Sequence, residues 1–329
     1  MPLANFGISL QVILKTKDMK KELIYGPVPS RRLGRSLGVD LVLDRVCSYD
    51  CIYCQLGRTE KKTIERKSYV PARDILDQLY QKLEGEIEAD YITLGGSGEP
   101  TLNSEIGSVI TDLKKHTNVP VAVLTNSSLL ANSNVRQSII QADVVLPSLD
   151  AYNQKGFERI NRPHPEINFE AMAEGLITFR QEYRGKIWLE IFVLDSLNAG
   201  ANDALEFKKW ITKINPDKVH INTAVRPTAE SFASRVPDKA LNDFCVTLGQ
   251  KAEVVTPFSG TSRHNEHTGT ERDLLNLLAR RPCTLDDISF ALNVGKERLL
   301  RYIEPLVENH TIDMSVDGTT VYYKPKRTN

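Results

Sequence analysis

Residues 47–54 read Cys47-Ser48-Tyr49-Asp50-Cys51-Ile52-Tyr53-Cys54, a CxxxCxxC triplet within one short segment. A cubane iron–sulfur cluster usually takes four cysteines, so a cluster held by these three keeps one iron open to a small molecule. The alternative is a structural zinc, which needs four ligands in a tetrahedron. Its fourth ligand would come from Cys245, Cys283 or a distant histidine, His116 being the nearest in sequence. The odd total of five cysteines and an N-terminus unlike a secretion signal speak against a disulfide framework. Cys47, Cys51 and Cys54 are the candidate metal ligands.

Around this triplet the chain alternates two periodicities. Short aliphatic or β-branched runs lie near Leu37–Leu43, Tyr91–Leu94, Val119–Leu124, Asp143–Leu149, Ile187–Val193 and Lys218–Thr223, each with strand character. Between them, Ala72–Leu83 puts Ile75, Leu76, Leu79 and Leu83 on one helical face, and Ser104–His116 does the same with Ile106, Val109, Ile110 and Leu113. Asn103-Ser104 and Asn202-Asp203 supply cap-type residues at expected helix starts. Strand–helix alternation builds an α/β fold with a parallel sheet and places active-site loops at the carboxyl ends of the strands.

Polar and small residues cluster at those ends. After the second strand comes Gly95-Gly96-Ser97-Gly98-Glu99-Pro100, a run that permits close backbone approach. Asn126 follows the third strand, and Ser148 and Asp150 follow the fourth. Turn and cap chemistry would account for each of them singly. Glu190 and Arg226 lie within or just beyond the fifth and sixth strands, and need partners or a ligand if they face inward.

The CxxxCxxC segment, with aromatic Tyr53 before its last cysteine, resembles the radical S-adenosylmethionine (radical SAM) enzymes. The resemblance implies a partial (β/α)6 TIM-like barrel with the cysteine loop after its first strand. It implies a [4Fe-4S] cluster on Cys47, Cys51 and Cys54 whose open iron chelates S-adenosyl-L-methionine. The reaction it implies is reductive cleavage of SAM to a 5′-deoxyadenosyl radical that abstracts hydrogen from substrate. It further implies SAM contacts at Gly95, Gly96 and Glu99, a GGE-like motif expanded here by Ser97-Gly98, and at Asn126, Ser148 and Asp150. YGPVPSRRLGRSLGVDL, CQLGRT, LGGSGEPTLN and FERINRPH are together similar to a subgroup related to the wyosine-type tRNA-modifying synthases, over roughly residues 24 to 230. Those enzymes hold a second cluster on cysteines upstream of the triplet, and no cysteine precedes Cys47. The wyosine-forming reaction is therefore not carried over.

The segment from residue 268 has a different texture. Glu271–Ala279, Leu285–Leu292 and Lys296–Asn309 read as helices, and Ile312–Val316 and Thr320–Tyr323 as a hairpin joined at Asp317-Gly318. Thr284 and Asp287 form a capping pair. This is a winged-helix pattern, and the organisation expected is an N-terminal extension over 1–36, a radical SAM core over 37–262 and a winged-helix domain over 268–329. Nine basic and nine acidic residues leave the last segment neutral, which favours protein docking or substrate presentation over nucleic-acid reading.

The whole chain balances 42 Lys and Arg against 42 Asp and Glu over 329 residues, with 41% hydrophobic content, enough for a large core. No apolar run reaches a membrane-spanning length, and the expected setting is cytoplasmic. Seven basic residues against two acids in Lys15–Arg35, with a second basic stretch over Arg58–Arg73, suggest a rim that attracts an anionic substrate, RNA or protein, or an acidic electron donor such as flavodoxin or ferredoxin. The function expected is a radical SAM enzyme of undetermined substrate. The alternatives are an iron–sulfur-binding nucleic-acid regulator, a tRNA-modifying enzyme and a structural zinc protein.

Overall fold

The computed structural model describes residues 22–85, 88–255, 270–317 and 320–326. The Asp317-Gly318 turn, most of the expected N-terminal extension and the expected 262–268 boundary fall wholly or partly outside them.

In chain order the elements are β1 (Ile24–Ser30), β2 (Gly34–Asp40), the two-residue β3 (Val46–Cys47) and β4 (Lys61–Lys62), α1 (Ala72–Leu83), β5 (Tyr91–Gly95), α2 (Ile106–His116), β6 (Val121–Thr125), α3 (Ser133–Ile139) and β7 (Val144–Pro147). There follow α4 (Gln154–Ile160), α5 (Phe169–Glu182), β8 (Lys186–Val193), α6 (Ala201–Ile214), β9 (Lys218–Thr223), α7 (Asp238–Leu248) and β10 (Ala252–Val254). The chain ends with α8 (Glu271–Arg280), α9 (Leu285–Leu292), α10 (Lys296–Glu308), β11 (Ile312–Asp317) and β12 (Thr320–Pro325).

Eight strands form one sheet in the order β1-β2-β5-β6-β7-β8-β9-β10. Every pairing is parallel except β1 on β2. The α/β partial barrel expected from the alternation is thus present, with an added strand at each edge, β1 beside β2 and β10 beside β9. β1 is an antiparallel edge strand, where the prolines of IYGPVPS are tolerated because an edge need not donate every N–H. The sheet therefore begins at Ile24 rather than after residue 36. The first parallel strand stops at Asp40; Leu41 and Val42 leave the ladder and stay fully buried, the carbonyl of Leu41 accepting the Asn103 side-chain amide at 2.9 Å.

Side-chain parity sorts the sheet into two faces. Val121, Val123, Leu189, Ile191, Val219 and Ile221 belong to the large core that includes Leu113, Phe179 and Phe207 of the flanking helices. Their neighbours Ala122, Leu124, Val144, Leu146 and Trp188 surround Leu33 from the β1–β2 turn, which fills the interior of the barrel. Glu190 shares that inward parity and ion-pairs with Arg32 of the same turn, with Asn222 Nδ2 donating to its Oε1 at 3.3 Å. The condition placed on Glu190 as an inward-facing charge is met by partners within the chain.

Helix starts depart from the sequence reading in detail. α2 begins after Glu105, because the Asn103 side chain is spent buried on Leu41 and Val70 carbonyls while its Oδ1 accepts the Glu105 N–H. α6 begins at Ala201, and Asp203 reaches back to the Gly200 N–H at 2.8 Å.

Three helices and a hairpin close the chain around a separate apolar cluster that includes Leu274, Leu278, Ile288, Leu299, Ile303 and Ile312. α9 opens as expected, Asp287 N–H donating to Thr284 Oγ1 at 3.0 Å and Thr284 N–H to Asp287 Oδ2 at 3.2 Å. The module seats on both sides of the barrel opening. On one side, Arg280 Nε meets Asp40 Oδ2 at 3.0 Å and the guanidinium lies 4.3 Å from the Tyr25 ring centre. On the other, Arg226 Nη2 meets Asp287 at 3.4 Å and the Tyr322 hydroxyl donates to the Val225 carbonyl at 2.8 Å.

Candidate metal and cofactor site

The cysteine loop leaves the carboxyl end of β2 and is fastened to the next loops by backbone bonds. Asp50 and Ile52 donate to the carbonyls of Asn161 and Ile160 at 3.0 Å each, and Glu99 donates to Val46 at 3.2 Å. Ile52 and Tyr53 pack with Ile160, Phe192 and Leu194 in a small apolar cluster. The Tyr53 ring stacks on Phe192 at 4.0 Å and 9°, an aromatic contact that fixes the ring plane. Cys47, Cys51 and Cys54 are each half-buried.

Side-chain amides approach two of the thiols. Asn126 Nδ2 lies 3.4 Å from Cys47 Sγ and donates to Ser48 Oγ at 2.9 Å. Asn161 Nδ2 lies 3.5 Å from Cys51 Sγ and donates to Asp150 Oδ2 at 2.9 Å. Such donors orient sulfur ligands and stabilise charge on them. Burial pushes the Cys47 thiol up to about 12, with the Glu99 charge adding to it. Cys51 is raised well above the ordinary thiol value, and Cys54 is raised too, burial leading in both. The thiols are therefore neutral until a cation replaces their protons.

Among the described residues no group of three or more His, Cys, Asp or Glu is placed to hold a single metal ion. In a cubane cluster each thiolate binds a different iron and the sulfurs need not converge on one point. Three thiols on one loop, with amides rather than a fourth ligand beside them, fit that group.

The remaining expected residues surround this loop in different capacities. Gly96 has φ +103°, and a Cβ there would lie 1.4 Å from Asp40 Oδ1. Its glycine is thus required by the Asp40 carboxylate, a reason internal to the protein. Gly95 is less constrained, a Cβ meeting Leu124 Cβ at 3.5 Å. Gly98, in the run read as permitting close backbone approach, lets the loop press on the cysteine segment, for a Cβ there would lie 2.0 Å from the Val46 carbonyl oxygen.

Glu99 is buried, with Oε1 accepting from Thr101 N–H and from the hydroxyls of Thr101 and Thr125, and Oε2 accepting the Asn126 N–H at 2.7 Å. Burial raises its carboxyl despite these donors. It holds the ends of β5 and β6 together and positions Asn126. Asp150 is also buried and takes the Tyr53 hydroxyl, Asn161 Nδ2 and, at 2.9 Å, the Phe192 N–H. Its carboxyl too is raised by burial. It is a support for Tyr53 and Asn161 rather than an open carboxylate. Ser148 sits half-buried after β7, bridged to Glu190, at the carboxyl end of the sheet. Arg226 belongs to the module interface and not to this group.

Asn161 was missed because its partner is distant in sequence. The amide of Asn161 reaches Cys51 across 110 residues, and FERINRPH carries no local signal of that contact.

A family model described as the Radical SAM superfamily matches residues 41–207. A UPF0026 protein of Methanocaldococcus jannaschii is 32% identical over 313 residues, covering 92% of this chain and 96% of that one. A Brachyspira hyodysenteriae protein named GTPase Obg is 37% identical over 318 residues, 94% of this chain but 46% of its own length, so this chain spans about half of it. Among solved structures, a radical SAM methyltransferase from Sphaerobacter thermophilus shares the fold with a TM-score of 0.51 at 18% identity, over 67% of this chain and 65% of that one. With the cysteine loop, the parallel sheet and these matches in agreement, the chain belongs to the radical SAM superfamily, whose members use a [4Fe-4S] cluster and S-adenosylmethionine.

Proposed function

We propose that this protein is a radical SAM enzyme in which Cys47, Cys51 and Cys54 hold the cluster, acting on a substrate other than that of the wyosine-forming synthases. The observation that carries the reading is the set of three half-buried thiols on the loop after the first parallel strand, approached by the amides of Asn126 and Asn161. When bound, the cluster supplies the electron that divides SAM into methionine and the 5′-deoxyadenosyl radical. The chain's own residues do the rest. Tyr53, Asp150 and Phe192 hold the loop rigid, the two amides stabilise charge on sulfur, and the Gly95–Gly98 turn and Ser148 border the carboxyl end of the sheet where SAM would lie.

Lys61 and Lys62 are exposed beside the loop, while Arg45 and Arg58 are matched by Glu60, Asp50 and Glu230. An acidic donor such as flavodoxin or ferredoxin suits that surface. The winged-helix reading of the C-terminal module, and its role in presenting a substrate, belong to the same proposal. No helix of the described residues is long and apolar enough to cross a membrane.

Anaerobic reconstitution tests the reading. It requires about four irons and four sulfides per chain, a spectral change when SAM is added, and release of 5′-deoxyadenosine and methionine under dithionite. A full cluster that leaves SAM intact under strong reductant would reject it.

A further inference from the structure

A cavity of about 820 Å³ lies where the barrel opening meets the C-terminal module, and its lining includes Arg31, Asn222, Arg226, Asp287, Phe290 and Tyr322. That volume suits a nucleotide-sized molecule.

Its wall holds Arg31, Arg226 and Arg235 together with Asp238, Asp286 and Asp287, and not every guanidinium donor among them is used. Arg31 has one side-chain hydrogen bond, from Nη2 to Asn222 Oδ1 at 3.0 Å, and no ion pair among the described residues. Arg226 reaches Asp287 at 3.4 Å through Nη2, while its Nε is buried without a partner. Arg281 stands close enough to repel Arg31, and its Nη2 is likewise buried without a partner. Burial, with the charges of Arg226 and Arg281, lowers Arg31 to about 10. Asp287, paired with Arg226 and near Arg31, is already engaged as the cap partner of Thr284. The outer acids Asp238 and Asp286 are taken by Arg235 and Lys296. Guanidinium donors buried without acceptors are costly, and Arg31 with the orphaned nitrogens of Arg226 and Arg281 leaves donors free for an anion.

We propose that this cavity binds the phosphate of a phosphorylated small-molecule substrate between Arg31 and Arg226. Guanidinium forks match phosphate oxygens, and a phosphate offers these donors more acceptor sites than a carboxylate does. Asn222 of the lining donates to Glu190 on β8, and two residues further along that strand, about 7 Å, Phe192 stacks on Tyr53 of the cysteine loop. The reaction assigned to such a substrate rests on the radical SAM reading; the binding does not.

The test is calorimetric titration of inorganic phosphate into the full-length protein at fixed ionic strength, with thermal melting alongside. Saturable binding is expected, weakened at least tenfold in Arg31→Gln and in Arg226→Gln and unchanged in Lys213→Gln, an exposed cation elsewhere. In phosphate-free buffer Arg31→Met should melt no lower than the parent, since it removes an unmatched buried charge, and phosphate should no longer raise its melting temperature. Equal stabilisation of parent and Arg31→Met by phosphate would overturn the proposal, as would salt-sensitive binding of single-stranded RNA that free phosphate does not displace. SAM cleavage is measured separately on the reconstituted parent. Phosphate binding without SAM cleavage would sink the enzymatic reading alone, and SAM cleavage without phosphate binding would sink the cavity proposal alone.

Discussion

Replacing Arg280 with methionine strips the charge from a contact that ties the C-terminal module to the end of the first parallel strand. Arg280 Nε lies 3.0 Å from Asp40 Oδ2, with side chains 10% and 2% exposed. The guanidinium also donates to the carbonyls of Glu22 and Asn276 at 2.8 and 2.7 Å. Asp40 is unusual even with this partner, because burial raises its carboxyl to about 6 against the pull of Arg280 and the Ser97 N–H. Its folded form therefore holds a proton more tightly than its unfolded form. The stability it contributes is full below about pH 4 and is lost as pH rises through 6, about 3 kcal/mol in all. Arg280→Met at pH 7.5 leaves a buried carboxylate with no counter-charge, which costs about 3–5 kcal/mol. At pH 5 the carboxyl is protonated, and the cost falls to about 1–2 kcal/mol for the lost bonds to carbonyls. Urea denaturation of parent and variant at both pH values reads the difference, and Asp40→Asn in the same background should abolish it. Equal destabilisation at pH 5 and pH 7.5 would refute the reasoning.

Cys47→Ala, Cys51→Ala and Cys54→Ala should each abolish the reconstituted cluster's absorbance, whereas Cys245→Ala combined with Cys283→Ala should keep it; Cys283 is buried in the module core, so the pair costs about 1 kcal/mol in urea melts. Asn126→Ala should retain cluster but lower its midpoint potential by about 40 mV, the one-electron equivalent of about 1 kcal/mol for the lost Cys47 contact; an unchanged potential in spectroelectrochemical titration would remove that amide from the site. Gly96→Ala should lose more than about 2 kcal/mol in urea denaturation, combining positive-φ strain with collision on Asp40, while Gly95→Ala changes stability by less than about 1 kcal/mol. Similar losses for both glycines would mean that the Asp40 carboxylate yields easily.

The parallel strands were legible because their aliphatic runs are buried from both faces or alternate with inward residues, and neither pattern needs long-range information. β1 was not legible: Gly26, Pro27 and Pro29 suppress strand character, and only its pairing with β2 makes it one. The cysteine triplet showed a metal-ligand spacing, and the choice of a cluster over zinc came from its resemblance to the radical SAM enzymes. The supports around it showed no such signal, because Asp150 and Glu99 are turn-type acids in sequence and become buried acceptors only when Tyr53, Asn161, Thr125 and Asn126 fold onto them. The ligand contacts expected at these two carboxylates rest on their place at strand ends, and that place also clamps one loop to the next.

Asp40 shows why the fold retains a carboxylate in so unfavourable a setting. Its Oδ1 takes the Ser97 N–H at 2.9 Å, its Oδ2 takes Arg280, and it fills the space that Gly96 vacates. One residue further along, Gly98 rests on Val46, and Glu99 both donates to Val46 and accepts the N–H of Asn126, whose side chain reaches Cys47. Module, glycine turn and cysteine loop are thus joined through contacts of about 3 Å, 240 residues apart in sequence at their ends. Contiguity alone does not transmit energy. What the contacts do show is that one buried carboxylate, Asp40, touches the module through Arg280 and the glycine turn through Ser97, while the same turn meets the cysteine segment at Val46.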